Sequence, residues 1–123
     1  MIIFGIIENL WGMVSRYYKA VVKRVYNAET VVLNIDLGFG SWLHHFKVKL
    51  KGITAIEKRK GDNYKASVEW LTNEILYREV YITSYQGEEE RQGRYEVVIQ
   101  KDLEQDIDIN NKLVKLGYAK HRK

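Results

Sequence analysis

Cysteine and proline are absent from the 123 residues, and histidine occurs only as His44, His45 and His121. Without cysteine there is no disulfide, no thiolate metal site and no thiol nucleophile. Two of the histidines are adjacent and would face opposite sides of a strand, and the third is far away in sequence, so a histidine-built metal centre is not expected. No apolar run reaches the roughly 20 residues that cross a bilayer. The most apolar stretch, residues 1–15, is interrupted by Glu8 and Asn9. It also lacks the basic leader and small-residue cleavage site of a secretory signal, so the expected location is cytoplasmic.

What remains is an ordinary globular composition, with 46% apolar and 29% charged residues, in a chain long enough for one core. The net charge of +4 is unevenly spread. Residues 1–60 hold ten Lys/Arg against four Asp/Glu, whereas residues 61–123 hold ten against twelve. A positive field concentrated in the first half suits a polyanionic partner. Residues 1–17 read as an apolar extension, a short helix or an edge strand, with Ile3, Ile6, Ile7, Leu10, Met13 and Val14 at helical spacing. Such a segment can cover an open edge of the domain spanning 18–123, or dock a protein partner or a second copy of the chain through residues 1–15.

The most informative stretch is Phe46 to Glu57. Its approach alternates strictly, with His44, Phe46, Val48 and Leu50 on one face and His45, Lys47, Lys49 and Lys51 on the other. That is the period of a half-buried strand with a basic outer face. Gly52 ends the alternation, and a short turn leads to the carboxylate of Glu57. Upstream, Tyr18 to Tyr26 and Thr30 to Leu37 read as strands joined by Asn27-Ala28-Glu29. Gly38-Phe39-Gly40-Ser41 reads as a hairpin loop in which two glycines supply positive φ. Downstream, Lys58-Arg59-Lys60-Gly61-Asp62-Asn63 is a polar loop. A helix from about Tyr64 to Tyr77, capped by Asp62 or Asn63, buries Tyr64, Val68, Leu71 and Ile75. Glu79 to Tyr85 and Arg94 to Gln100 are further strands, separated by a charged loop containing Arg91. A closing helix, capped by Asp106 or Asp108, turns Ile109, Leu113 and Leu116 inward and ends at Gly117. Three strands, a helix, two strands and a helix make an α+β chain. The expected architecture is a five-stranded Greek-key OB-fold barrel with a helix between strands three and four and a C-terminal helix.

At this level the chain resembles the staphylococcal-nuclease (thermonuclease-like) family over roughly residues 18–120. Where that family reads Asp-Gly-Asp-Thr, this chain has Asn27-Ala28-Glu29-Thr30. The family pattern Val-Arg-Leu-x-Gly-Ile-Asp-x-Pro-Glu is matched by Val48-Lys49-Leu50-Lys51-Gly52-Ile53-Thr54-Ala55-Ile56-Glu57. Gln92-Gly93-Arg94 resembles its Tyr-Gly-Arg. The run from Ile109 to Ala119 resembles its closing Val-Asn-x-x-Leu-Val-x-x-Gly-x-Ala. The Asp36 to Gly40 hairpin is similar to the intracellular, often phage-borne branch.

The resemblance implies a phosphodiesterase that uses one Ca²⁺, two aspartates to hold it, two arginines on the phosphate and a glutamate near the attacking water. Carried over by position, Glu57 keeps the glutamate and Arg94 one arginine, while Lys49 replaces the other arginine with a point charge. Glu29 and Thr54 stand at the metal positions, so one full negative charge is missing. Ile56 stands where the proline would be. The resemblance therefore implies a nucleic-acid-binding domain with a weak or absent Ca²⁺ site and little cleavage. DNA or RNA would be tracked by Lys47, Lys51, Lys58, Arg59, Lys60 and Arg91. The alternatives are an active Ca²⁺-dependent nuclease acting through Glu57, Arg94 and Lys49, and a protein-interaction module docking through its N-terminal segment.

Overall fold

The computed structural model describes residues 6–8, 14–85, 95–103 and 107–122. In chain order the elements are β1 (Ile6–Glu8), β2 (Val14–Val25), β3 (Thr30–Gly38), β4 (Ser41–Leu50), β5 (Ile53–Ala55), a 3₁₀ turn (Lys58–Lys60) and α1 (Asp62–Ile75). They continue as β6 (Glu79–Tyr85), β7 (Glu96–Gln100), α2 (Ile109–Lys115) and β8 (Ala119–His121). The fold is α+β.

Five strands form a ring. β2, β3 and β4 are an antiparallel meander, β4 meets β7 in parallel, β7 pairs β6, and β6 returns to pair β2. β1 adds to the start of β2, with Ile6 opposite Arg16, and β5 and β8 form a separate two-stranded ladder. β2 is thus paired on both flanks, and Ala20 and Val22 at its centre are fully buried. It begins at Val14, four residues before the strand expected from Tyr18. β5, which continues the chain just past Gly52, and β8 are too short to show a period of their own and were not expected.

Side chains at alternate positions fill the ring: Val31, Leu33 and Ile35 from β3, Val48 and Leu50 from β4, Val80 and Ile82 from β6, and Val97 and Ile99 from β7. Leu71 and Ile75 of α1 and Ile109 and Leu113 of α2 complete the same core. Leu116, expected to point inward, is exposed, because α2 ends at Lys115 and the chain turns at Gly117 (φ 81°) to start β8. Asp108 caps α2, its Oδ1 accepting from the Asn111 N–H at 2.8 Å. The other expected cap, Asp106, lies outside the described residues. At α1 the capping residue is Gly61, with no side-chain cap. Asp62 lies in the first turn, where its charge complements the helix dipole.

One polar side chain ties the layers together. Asn110, 3% exposed, accepts from the Ile99 N–H at 3.1 Å and donates to the carbonyls of Lys51 and Val97, both at 3.0 Å. It joins α2 to β7 and to the turn that follows β4. No described helix is long and apolar enough to cross a membrane.

Candidate nucleic-acid interface

β4 carries the cations expected of it, but not in an unbroken alternation. Leu33 pairs with Phe46 and Ile35 with Leu43, so two residues of β4, His44 and His45, stand opposite Asn34 alone. This is a β-bulge. His45 takes the left-handed backbone (φ 55°), and its N–H donates to Asn34 Oδ1 at 2.9 Å. The extra residue puts Leu43 back on the side of Phe46 and Val48, so His44 does not share that face as strict alternation requires. From Phe46 onward the alternation holds: Val48 and Leu50 are buried, while Lys47 and Lys49 are exposed.

The residues expected to make a catalytic centre are only partly gathered. Glu29 lies in the turn between β2 and β3, which the side chain of Asn27 builds by accepting from the N–H groups of Glu29 and Thr30. The Glu29 carbonyl accepts from the Leu50 N–H at 2.7 Å, and Thr30 pairs with Lys49, so this turn lies against the end of β4. Lys49 also stands beside Glu96 of β7. The Glu96 carboxylate is taken up by Arg122 and lies 4.0 Å from Lys51 Nζ. Glu57, exposed, pairs with the Arg59 guanidinium beside it. Lys58, Arg59 and Lys60 form one exposed 3₁₀ turn. Arg91 and Arg94 lie outside the described residues.

Thr54 is exposed on β5 and stands directly opposite Lys120 of β8. Directly paired residues share a face with their Cβ atoms about 5 Å apart, so the position that resembles a calcium aspartate holds a neutral hydroxyl with a lysine as its cross-strand partner. Ca²⁺ takes six to eight oxygens, with carboxylates foremost. Among the described residues no group of three His, Asp or Glu side chains comes together. The donors present do not fit a resident calcium ion, and no reaction step is derived through one.

A second cationic surface was not legible in the sequence. A concavity of about 540 Å³ on the outside of β2–β4 is lined by Lys23, Arg24, Tyr26, Val32, His45, Lys47 and Tyr77. β2 is also bulged here: Val22 pairs with Leu33 and Arg24 with Val32, leaving Lys23 as the extra residue. Adjacent residues of a regular strand point to opposite sides, and the bulge brings Lys23 and Arg24 to the same one. The chain leaving α1 docks beside this bulge, through the Tyr77 N–H to the Val22 carbonyl at 2.7 Å and the Val22 N–H to the Arg78 carbonyl at 3.2 Å. Cations and rings interleave: Arg24 lies 4.6 Å and Lys47 5.0 Å from the centre of the Tyr26 ring, and Lys23 5.7 Å from that of Tyr77. Among the described residues no carboxylate pairs with Lys23, Arg24 or Lys47. The only sequence signal was the adjacent pair Lys23-Arg24 in a strand rich in Val and Tyr.

No protein-family model matches this chain, and no curated protein sequence is significantly similar to it.

Proposed function

We propose that this chain is a nucleic-acid-binding domain of the staphylococcal-nuclease type whose calcium-dependent phosphodiesterase centre has been lost. The strand order of the ring, with a helix between its third and fourth strands and two flanking cationic surfaces, supports reading it as the OB arrangement. The observation that carries loss of chemistry is Thr54 paired with Lys120: a neutral hydroxyl stands where a carboxylate would be needed, and its cross-strand neighbour is cationic. Binding is supported by Lys47 and Lys49 exposed along β4 and by the exposed turn Lys58–Lys60, a cationic track suited to phosphates in DNA or RNA.

The test is to incubate labelled DNA and RNA oligonucleotides with the protein in millimolar calcium and, separately, in excess chelator. Binding that is equal in both and leaves the oligonucleotide intact is the expected result. Cleavage that disappears on adding chelator, and in Glu57→Ala, would overturn the proposal in favour of an active nuclease.

A second reading, a protein-docking module, draws on Leu37, Phe39, Trp42 and Leu43, which are exposed together on the β3–β4 hairpin. Light scattering of the full chain and of Phe39→Ser separates it: an assembly lost in the variant favours docking, and a monomer in both disfavours it.

A further inference from the structure

Tyr77 sits where the fold asks for a different residue. The segment Ile75 to Arg78 is a type II β-turn, with Leu76 at φ −60°, ψ 131°, Tyr77 at φ 61°, and the Arg78 N–H donating to the Ile75 carbonyl at 3.0 Å. The third position of such a turn is glycine or asparagine territory, because a Cβ there meets the neighbouring carbonyl. The ring gains little packing in return, since Tyr77 is 70% exposed. Strained backbone conformations of this kind collect at binding sites, where the side chain is needed for something outside the fold. What surrounds the ring names the ligand. Lys23 is 5.7 Å from its centre, Arg24 and Lys47 flank Tyr26 on the same concave surface, and none of the three cations is spent on a carboxylate among the described residues.

We infer that this surface binds single-stranded nucleic acid, with an unpaired base stacked on Tyr77 and the adjoining phosphates held by Lys23, Arg24 and Lys47. The inference rests on the nucleic-acid-binding reading above and moves the principal contact from the exposed turn Lys58–Lys60 to the outer face of β2–β4. A base has a π-face whatever its identity, so a ring in a cationic concavity selects unstacked strands without selecting sequence. A duplex keeps its bases stacked on one another and offers the ring nothing to take.

The experiment is fluorescence anisotropy with a labelled oligothymidylate of about 15 nucleotides, within the span of one such module, and with a duplex of equal length. Tyr77→Gly is the decisive variant because glycine suits the turn and the fold is retained. The single strand is expected to bind at least about tenfold more tightly than the duplex. Loss of the ring should weaken single-strand binding roughly 5- to 100-fold at unchanged salt dependence, and Tyr77→Phe should restore it. Arg24→Ala should lower the slope of log K against log salt by about 0.7, the contribution of one phosphate contact in a single strand. Equal binding by wild type and Tyr77→Gly, or equal affinity for duplex, overturns the inference. If Lys58→Ala/Arg59→Ala/Lys60→Ala then abolishes binding, the broader reading stands with its site elsewhere. If wild type binds neither oligonucleotide, both fall.

Discussion

Tyr77 gives the sharpest expectation at the scale of single residues. Left-handed backbone costs a residue with a Cβ about 1 kcal/mol, and glycine escapes that cost while adding some entropy to the unfolded chain. Tyr77→Gly is therefore expected to raise stability by up to about 1 kcal/mol, measured by urea unfolding. A variant that folds better and binds worse separates a ligand-directed side chain from a structural one. Asn110 is the opposite case. Truncation to alanine leaves the Ile99 N–H without its partner inside the core and removes the donor that Lys51 O and Val97 O share. The Val97 carbonyl keeps the Lys51 N–H at 2.8 Å, so the penalty falls on the other two groups. Asn110→Ala should cost roughly 2–4 kcal/mol, read from the shift of the denaturant midpoint. The sequence marks Asn110 only as part of a helix motif. That its amide reaches backbone groups of both β7 and the turn after β4 is a tertiary fact.

At the scale of elements, α1 is fastened to the end of β7 by Glu74 and Lys101, whose Nζ lies 2.8 Å from Glu74 Oε2. The hydrogen bond from Lys101, helped by the charges of Lys101, Lys112 and Arg78, holds the Glu74 carboxyl below its ordinary range despite opposing desolvation. A carboxylate lowered in the folded state contributes stability that is present above its unfolded pKa and is lost as pH falls through the folded one. Glu74→Gln should thus be less stable than wild type at neutral pH by about 0.5–1 kcal/mol, with the gap closing as pH drops through the carboxylate range. Thermal unfolding of both proteins across that range checks the sign. The two bulges that shape the concave face belong to this scale as well. A bulge is written in how strands pair, so strict alternation in His44 to Lys51 led to an unbroken strand, while the structure breaks it at His44-His45. Lys23 and Arg24 share a side for the same reason.

For the molecule as a whole, the question is what sort of charge it attracts. An ion bound with a dissociation constant near 10⁻⁴ M would stabilise the fold by about 1.4 kcal/mol at 1 mM. Calcium at that concentration is expected to change the melting temperature by no more than measurement error, since Lys120 stands beside Thr54 and no carboxylate cluster forms among the described residues. A clear upward shift would restore the metal site. Affinity for single strands should instead fall with salt with a slope of about −2, since Lys23, Arg24 and Lys47 each meet one phosphate. Competition titrations at several salt concentrations measure that slope.

Hydrophobic periodicity by itself determined the strands Thr30–Gly38 and Glu79–Tyr85, the burial of Leu71, Ile75, Ile109 and Leu113 on the helices and the location of most cations, because these depend on neighbours a few residues away. Tyr64 and Val68, expected in the same stripe, are only half-buried, and Leu116 is exposed. Residue identity also showed that position 54 carries no charge. Only the tertiary structure decided that Lys120 stands against Thr54, that β6 closes onto β2, and that Tyr26, Tyr77 and three cations share one hollow. Each of these joins residues distant in sequence through backbone pairing, and no local pattern of side chains records which strands meet.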